Sequence, residues 1–266
     1  MRLRSTVVAA LAGIACIAVF AASASAAAPE FGRCLKAEKV DKEYKGKFSN
    51  SGCTTEVPVS ERPKKGKYEW FPGAVKNKQT SVGGSAALET AVKHLGVGCA
   101  GETSIGEYVG TKEVKNIFVT FTGCHSGPEV CQSPGHAKGE LETNALEGTI
   151  VWENKAKKKT DFMLIPQGGK EKFIEFTCGL HLTVSVRGKI LTPIKNDKMK
   201  TTETLKYKAT RGIQKPDSYE TESGGKENAF LESLFLSEEK NEWEQAGQSI
   251  TSKVTNEEAL ELNLVV

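Results

Sequence analysis

The chain has 266 residues, with 36 basic against 33 acidic side chains and a formal net charge of +3. A chain of this length can bury a real core, and all-β folds of this size often form one unit. The near balance of charge removes net attraction to nucleic acid or anionic membrane as a basis for function.

Arg2 and Arg4 precede an apolar run over residues 7–22, and small residues follow at 23–28. This three-part layout predicts a secretory signal peptide. Ala24-Ser25-Ala26 fits the small-x-small rule, so cleavage is expected after Ala26; removing 26 of 266 residues leaves 240, and losing Arg2 and Arg4 takes the charge from +3 to +1. The apolar run is too short and wrongly flanked for a membrane span, and no second one follows. Cys16 lacks the leucine-like residue that a lipoprotein signal places three positions earlier, where Gly13 stands. The product is expected outside the reducing cytosol, secreted or at the cell envelope.

Residues 27–67 form a polar amino-terminal segment predicted to pack on a single secreted domain over 27–266. Tyr68, Trp70 and Phe71 then cluster before Pro72-Gly73. Leu88, Ala91, Val92 and Leu95 follow helical spacing with Ser85 and Gly96 as caps, yet Ala86, Leu88, Thr90 and Val92 alternate as a strand would; periodicity alone leaves residues 85–95 undecided. Further on, strands are predicted at 114–121, 141–152, 162–165, 204–209 and 260–266. The clearest alternation sets Ile174, Phe176, Cys178, Leu180, Leu182, Val184 and Val186 on one face, with Gly179 as the bend or turn. Dense Gly and Pro punctuation separates these runs. The predicted fold is all-β, an antiparallel sandwich or barrel stapled by disulfides. Basic runs at 155–159 and at Lys64, Lys65 and Lys67 read as solvated loop faces.

Six cysteines, Cys34, Cys53, Cys99, Cys124, Cys131 and Cys178, follow the signal. In an exported chain they predict three disulfides, and six cysteines allow 15 connectivities. Cys124 and Cys131 flank a loop with Gly127 and Pro128, Cys34 and Cys53 bracket the polar segment, and Cys99 and Cys178 remain. Nearest-neighbour logic thus expects 34–53, 124–131 and 99–178. A metal reading of Cys124, His125, Cys131 and His136 matches no standard zinc spacing.

Several of these motifs carry a resemblance. Pro29-Glu30-Phe31-Gly32-Arg33-Cys34, Ser51-Gly52-Cys53, Lys67-Tyr68-Glu69-Trp70, Thr120-Phe121-Thr122-Gly123-Cys124 and Phe176-Thr177-Cys178-Gly179 resemble a large group of secreted bacterial proteins of unknown function. The similarity extends over essentially the whole exported chain. It implies one exported domain with the Leu88 stretch as a strand, and it implies no substrate, catalytic residue or partner.

A search for chemistry finds no G-x-S-x-G, P-loop, dinucleotide fingerprint or H-E-x-x-H, so neither a catalytic residue nor a cofactor nor a metal is expected. His94, His125, His136 and His181 lie among turns or on strand faces. Glu140, Glu142 and Glu147 near Trp152 suit a sugar-cleaving carboxylate pair in residue type alone. Tyr68, Trp70 and Trp152 are the candidate ligand-binding residues, because flat rings at a surface stack on sugars, although such rings more often anchor a core. The reading is a non-catalytic binding or structural module. Its partner is cell-wall or environmental polysaccharide or a surface protein, and the alternative is a polysaccharide hydrolase.

Overall fold

The structure, a computed structural model, describes residues 29–195, 198–236 and 242–264. The segment expected to be a signal peptide, Cys16 included, lies outside the described residues, as do the last two positions of the strand expected at 260–266. The described residues are 62% strand and 4% helix, an eight-stranded antiparallel barrel with additional strands and three disulfides.

One ring closes entirely through backbone pairing. Ala86–Thr90 pairs with Gly96–Cys99, which meets His125–Ser126; the ring continues through Glu129–Gln132, Lys172–Cys178, Leu182–Gly188 and Leu231–Leu236 to the first half of Trp243–Asn263, which returns to Ala86–Thr90. That last strand runs 21 residues. Its second half leaves the ring and joins another antiparallel sheet, pairing with Lys78–Gly83 on one side and Lys200–Thr210 on the other. From Lys78–Gly83 this second sheet proceeds through Gly101–Val109, Glu113–Thr122, Leu146–Asn154 and Lys159–Pro166 to Ile190–Ile194. Its two ends approach each other where Lys206 N–H donates to Thr192 Oγ1 at 3.1 Å. Buried residues of the ring and of the second sheet form one continuous apolar core.

The long alternating run becomes a hairpin. Gly179 takes φ of +60° between Lys172–Cys178 and Leu182–Gly188, a conformation that costs a glycine little, and Phe176 stands opposite Val184. Leu180, expected on the buried face, is therefore at the tip of the turn and exposed. The run expected at 141–152 divides into Leu141–Glu142 and Leu146–Asn154, which pair with different parts of Glu113–Thr122. The disputed stretch is a strand, Ala86–Thr90, with Ala86, Leu88 and Thr90 buried; Val92 lies in the following turn and is exposed. Packing inside the ring, not local periodicity, decides it.

At the amino-terminal end, Glu30–Lys36 is itself a sheet strand between Trp243–Asn263 and Tyr68–Pro72. The polar stretch after it forms a small hairpin of Lys39–Val40 with Glu43–Tyr44 and two short helical turns, Val59–Glu61 and Arg62–Lys65. Cys53 is fully buried there and bonds Cys34.

The other two disulfides differ from the expected pairs. They are Cys99–Cys124 and Cys131–Cys178, not Cys124–Cys131 and Cys99–Cys178. Cys131 N–H donates to the Cys124 carbonyl at 2.9 Å across the turn, so these two residues meet at a hydrogen-bonded position, where side chains stand farther apart. Cys131 lies in register with Cys178 on the next strand, with Cα atoms 3.9 Å apart, and Cys99 reaches Cys124 at 4.0 Å. Closeness along the chain selected the wrong neighbour because strand pairing brings a nearer one.

Candidate functional site

Where the inner face of the ring meets the second sheet, the core leaves a cavity of about 150 Å³. Most of its wall is apolar, with Leu88, Val97, Ile117, Phe162, Phe176 and Ile250 among the lining side chains. One region is polar. Gln79, Ser81, Glu102, Ser104, Tyr207 and Ser252 also line the cavity.

This polar group is built by strand register. Ser81 stands opposite Ser104, and Gly83 stands opposite both Glu102 and Ser252 on its two neighbouring strands. Glu102 therefore lies across a residue without a side chain. A Cβ at position 83 would come within 2.5 Å of Glu102 Oε2, so glycine there makes room for the carboxylate. Ser81 Oγ donates to Glu102 Oε1 at 2.7 Å, Ser252 Oγ donates to Oε2 at 2.8 Å, and Ser81 Oγ also lies 2.6 Å from Ser104 Oγ. Glu102 is only 5% exposed. Among the described residues no lysine, arginine or histidine forms an ion pair with it.

Tyr207, opposite Ile250 in register, is 8% exposed. Burial, and then the negative charge of Glu102, push its phenol far above the ordinary tyrosine range. It stays a neutral O–H group at any physiological pH. Its hydroxyl makes no hydrogen bond to another described residue.

The candidate residues from sequence are placed elsewhere. Tyr68 and Trp70 share one face of Tyr68–Pro72 and are half-buried; the Trp70 indole lies over Gly32, and its Nε1–H donates to Glu30 Oε1 at 2.6 Å. Trp152 belongs to another strand, opposite Thr160 and Glu220, and is 4% exposed. The three rings form no common strip. Glu140 and Glu142 bracket His136, at 3.1 Å from Nδ1 and 3.7 Å from Nε2, whereas Glu147 pairs with Lys115 at 3.8 Å. His94 lies 3.2 Å from Glu89, and His125 and His181 are exposed. Cys124 and Cys131 are committed to disulfides, so they do not offer thiolates to a metal. No group of three or more potential metal ligands occurs among the described residues.

Sequence reasoning passed over Glu102, Ser81 and Tyr207. The signal was present but inverted: in Lys78–Gly83 and Gly101–Val109 the small and polar residues face the core, while Val82 and Ile105 are 65% and 58% exposed. An alternating pattern read with apolar residues inward assigns both faces wrongly.

Searches against protein-family models, curated proteins and solved structures find no match to the chain. No helix among the described residues is long and apolar enough to cross a membrane.

Proposed function

We propose that this protein is a secreted, non-catalytic binding module that holds one small, largely apolar molecule inside its β framework. The observation that carries this reading is the cavity itself. Protein interiors are close-packed, with few voids larger than a water molecule, and an apolar void of roughly 150 Å³ is of the size that binds benzene or xenon. Small antiparallel barrels fill their interior with side chains or hold one small ligand there. Here the side chains leave space and bring a polar group to its edge.

Three disulfides fit an extracellular home. The amino-terminal signal layout and the resemblance to exported bacterial proteins support the same location. A cavity of this size excludes a long acyl chain or a sugar polymer from the interior. The ligand class is a ring or short chain of roughly six to ten heavy atoms, by comparison with benzene-sized cavities.

The test is binding of benzene-sized probes to the disulfide-bonded protein, followed by NMR shifts of cavity-lining methyl groups and by the shift in unfolding temperature. Saturable shifts confined to residues such as Leu88, Ile117 and Ile250 are the expected result. Absence of any saturable shift up to probe solubility overturns the reading.

A further inference from the structure

We infer that the cavity selects a small amine, an apolar body carrying one ammonium group, with Glu102 as its counter-ion. This rests on the cavity reading above and names the chemistry of the ligand.

An ionised carboxylate is acceptor-only, with about four lone-pair sites. Ser81 and Ser252 occupy one site on each oxygen of Glu102. Both are neutral hydroxyls. Buried charges are paired or coordinate a metal, because an isolated ion loses far more hydration than hydroxyls return. Among the described residues the pairing cation is missing, although the rest of the carboxylate's setting is built: two serine donors, and a glycine opposite that clears its space.

Tyr207 supplies the second observation. Tyr207 is a buried residue that lines the same cavity, and its hydroxyl has no hydrogen-bond partner among the described residues, so its oxygen is free to accept. An ammonium group brings three N–H donors, which suits a carboxylate oxygen, a phenol oxygen and a side-chain amide oxygen such as that of Gln79 or Gln248 at the cavity wall. An apolar acid of the same size would set a second negative charge beside Glu102 and is rejected. A neutral alcohol gains one donor and no charge.

The experiment compares three isosteric probes, phenethylamine, 2-phenylethanol and phenylacetate, by titration calorimetry and NMR on the intact disulfide-bonded protein. The amine should bind at least about tenfold more tightly than the alcohol, and the acid should be weakest, because charge-assisted hydrogen bonds are roughly twice as strong as neutral ones. Glu102→Gln keeps the shape and an acceptor oxygen but removes the charge, so it should erase the preference for the amine while the alcohol still binds. Tyr207→Phe should weaken amine binding by a smaller factor.

If the alcohol binds and the amine binds no better, or if the preference survives in Glu102→Gln, this inference is wrong while the cavity reading stands. If none of the three probes binds and benzene does not either, the cavity reading itself fails. The probe series on the unmodified protein decides the matter even where Glu102→Gln does not fold.

Discussion

Replacing Asp161 by asparagine should remove a large part of the pH dependence of folding between pH 4 and 7. Asp161 is fully buried, and neither of its carboxyl oxygens has a hydrogen-bond partner. It faces away from the main core, in register with Val151 and Pro193, on the same side as a small apolar cluster that includes Met163, Leu191, Tyr219 and Ala229. Burial pushes its acid form up to about 7, the charge of Glu153 adds to this, and Lys159 opposes it in part.

The folded state thus holds a proton that the unfolded chain releases near the ordinary value of 3.8. The stabilising contribution is complete below that value and is lost as pH rises through about 7, because over this window the folded state binds more protons. At about 1.4 kcal/mol per pH unit, the full loss is about 4 kcal/mol. Urea unfolding with the disulfides intact, run from pH 4 to pH 8 on the parent and Asp161→Asn, gives the difference directly. Carboxylates common to both proteins cancel in it. The variant should gain on the parent by up to about 4 kcal/mol across the window and should be the more stable at pH 8, since an unpaired buried amide costs only about 1–3 kcal/mol. A difference curve flat to within about 1 kcal/mol would show that Asp161 has a partner or a path to water.

Nonreducing peptide mapping should recover Cys34–Cys53, Cys99–Cys124 and Cys131–Cys178, and a linked Cys124–Cys131 peptide would refute the strand register. Replacing Cys131 and Cys178 together by alanine should lower stability by about 2–4 kcal/mol in denaturant unfolding. Gly148→Ala puts a methyl group onto the ring of Phe162 and should cost about 1–3 kcal/mol; a variant within experimental error of the parent would mean that the ring moves freely. Ala86→Leu, at the wall of the cavity, should raise stability by about 0.5–2 kcal/mol while abolishing benzene binding, and undiminished binding would place the probe elsewhere.

The parts of the fold that could be read from the sequence are those where one face is apolar and the other polar. The Phe176 and Val184 hairpin, the part of Glu113–Thr122 from Ile117 onward and Lys200–Thr210 follow the two-residue period, and Gly179 marked the turn because a reversal there needs positive φ. The Leu88 stretch stayed open because five residues contain too few repeats to separate two periods, and only pairing on both edges resolves it. Cys34–Cys53 was legible since both ends belong to one segment. The remaining pairs depended on which strands become neighbours, and chain distance carries no information about that. Glu102 escaped notice for a related reason. A lone glutamate between Gly101 and Thr103 looks solvated until Gly83, Ser81 and Ser252 arrive from strands 19 to 150 residues away.

The covalent framework and the cavity answer one mechanical problem. The ring closes through its shortest strands: a single residue pair joins Gly96–Cys99 to His125–Ser126, and two pairs join Glu129–Gln132 to Lys172–Cys178. So few ladder positions give little cooperative hold, and an opened ring would expose both its inner face and unpaired strand edges. Cys99–Cys124 and Cys131–Cys178 lie at these two junctions, where they replace the missing ladder with covalent bonds. Cys99 also lines the cavity. A core left partly empty forgoes the contacts that filling it would bring, and a buried carboxylate adds a desolvation cost. Crosslinks that restrict the unfolded chain offset both without occupying the space, which is why a small cavity with a polar edge survives in this fold where close packing would otherwise favour its collapse.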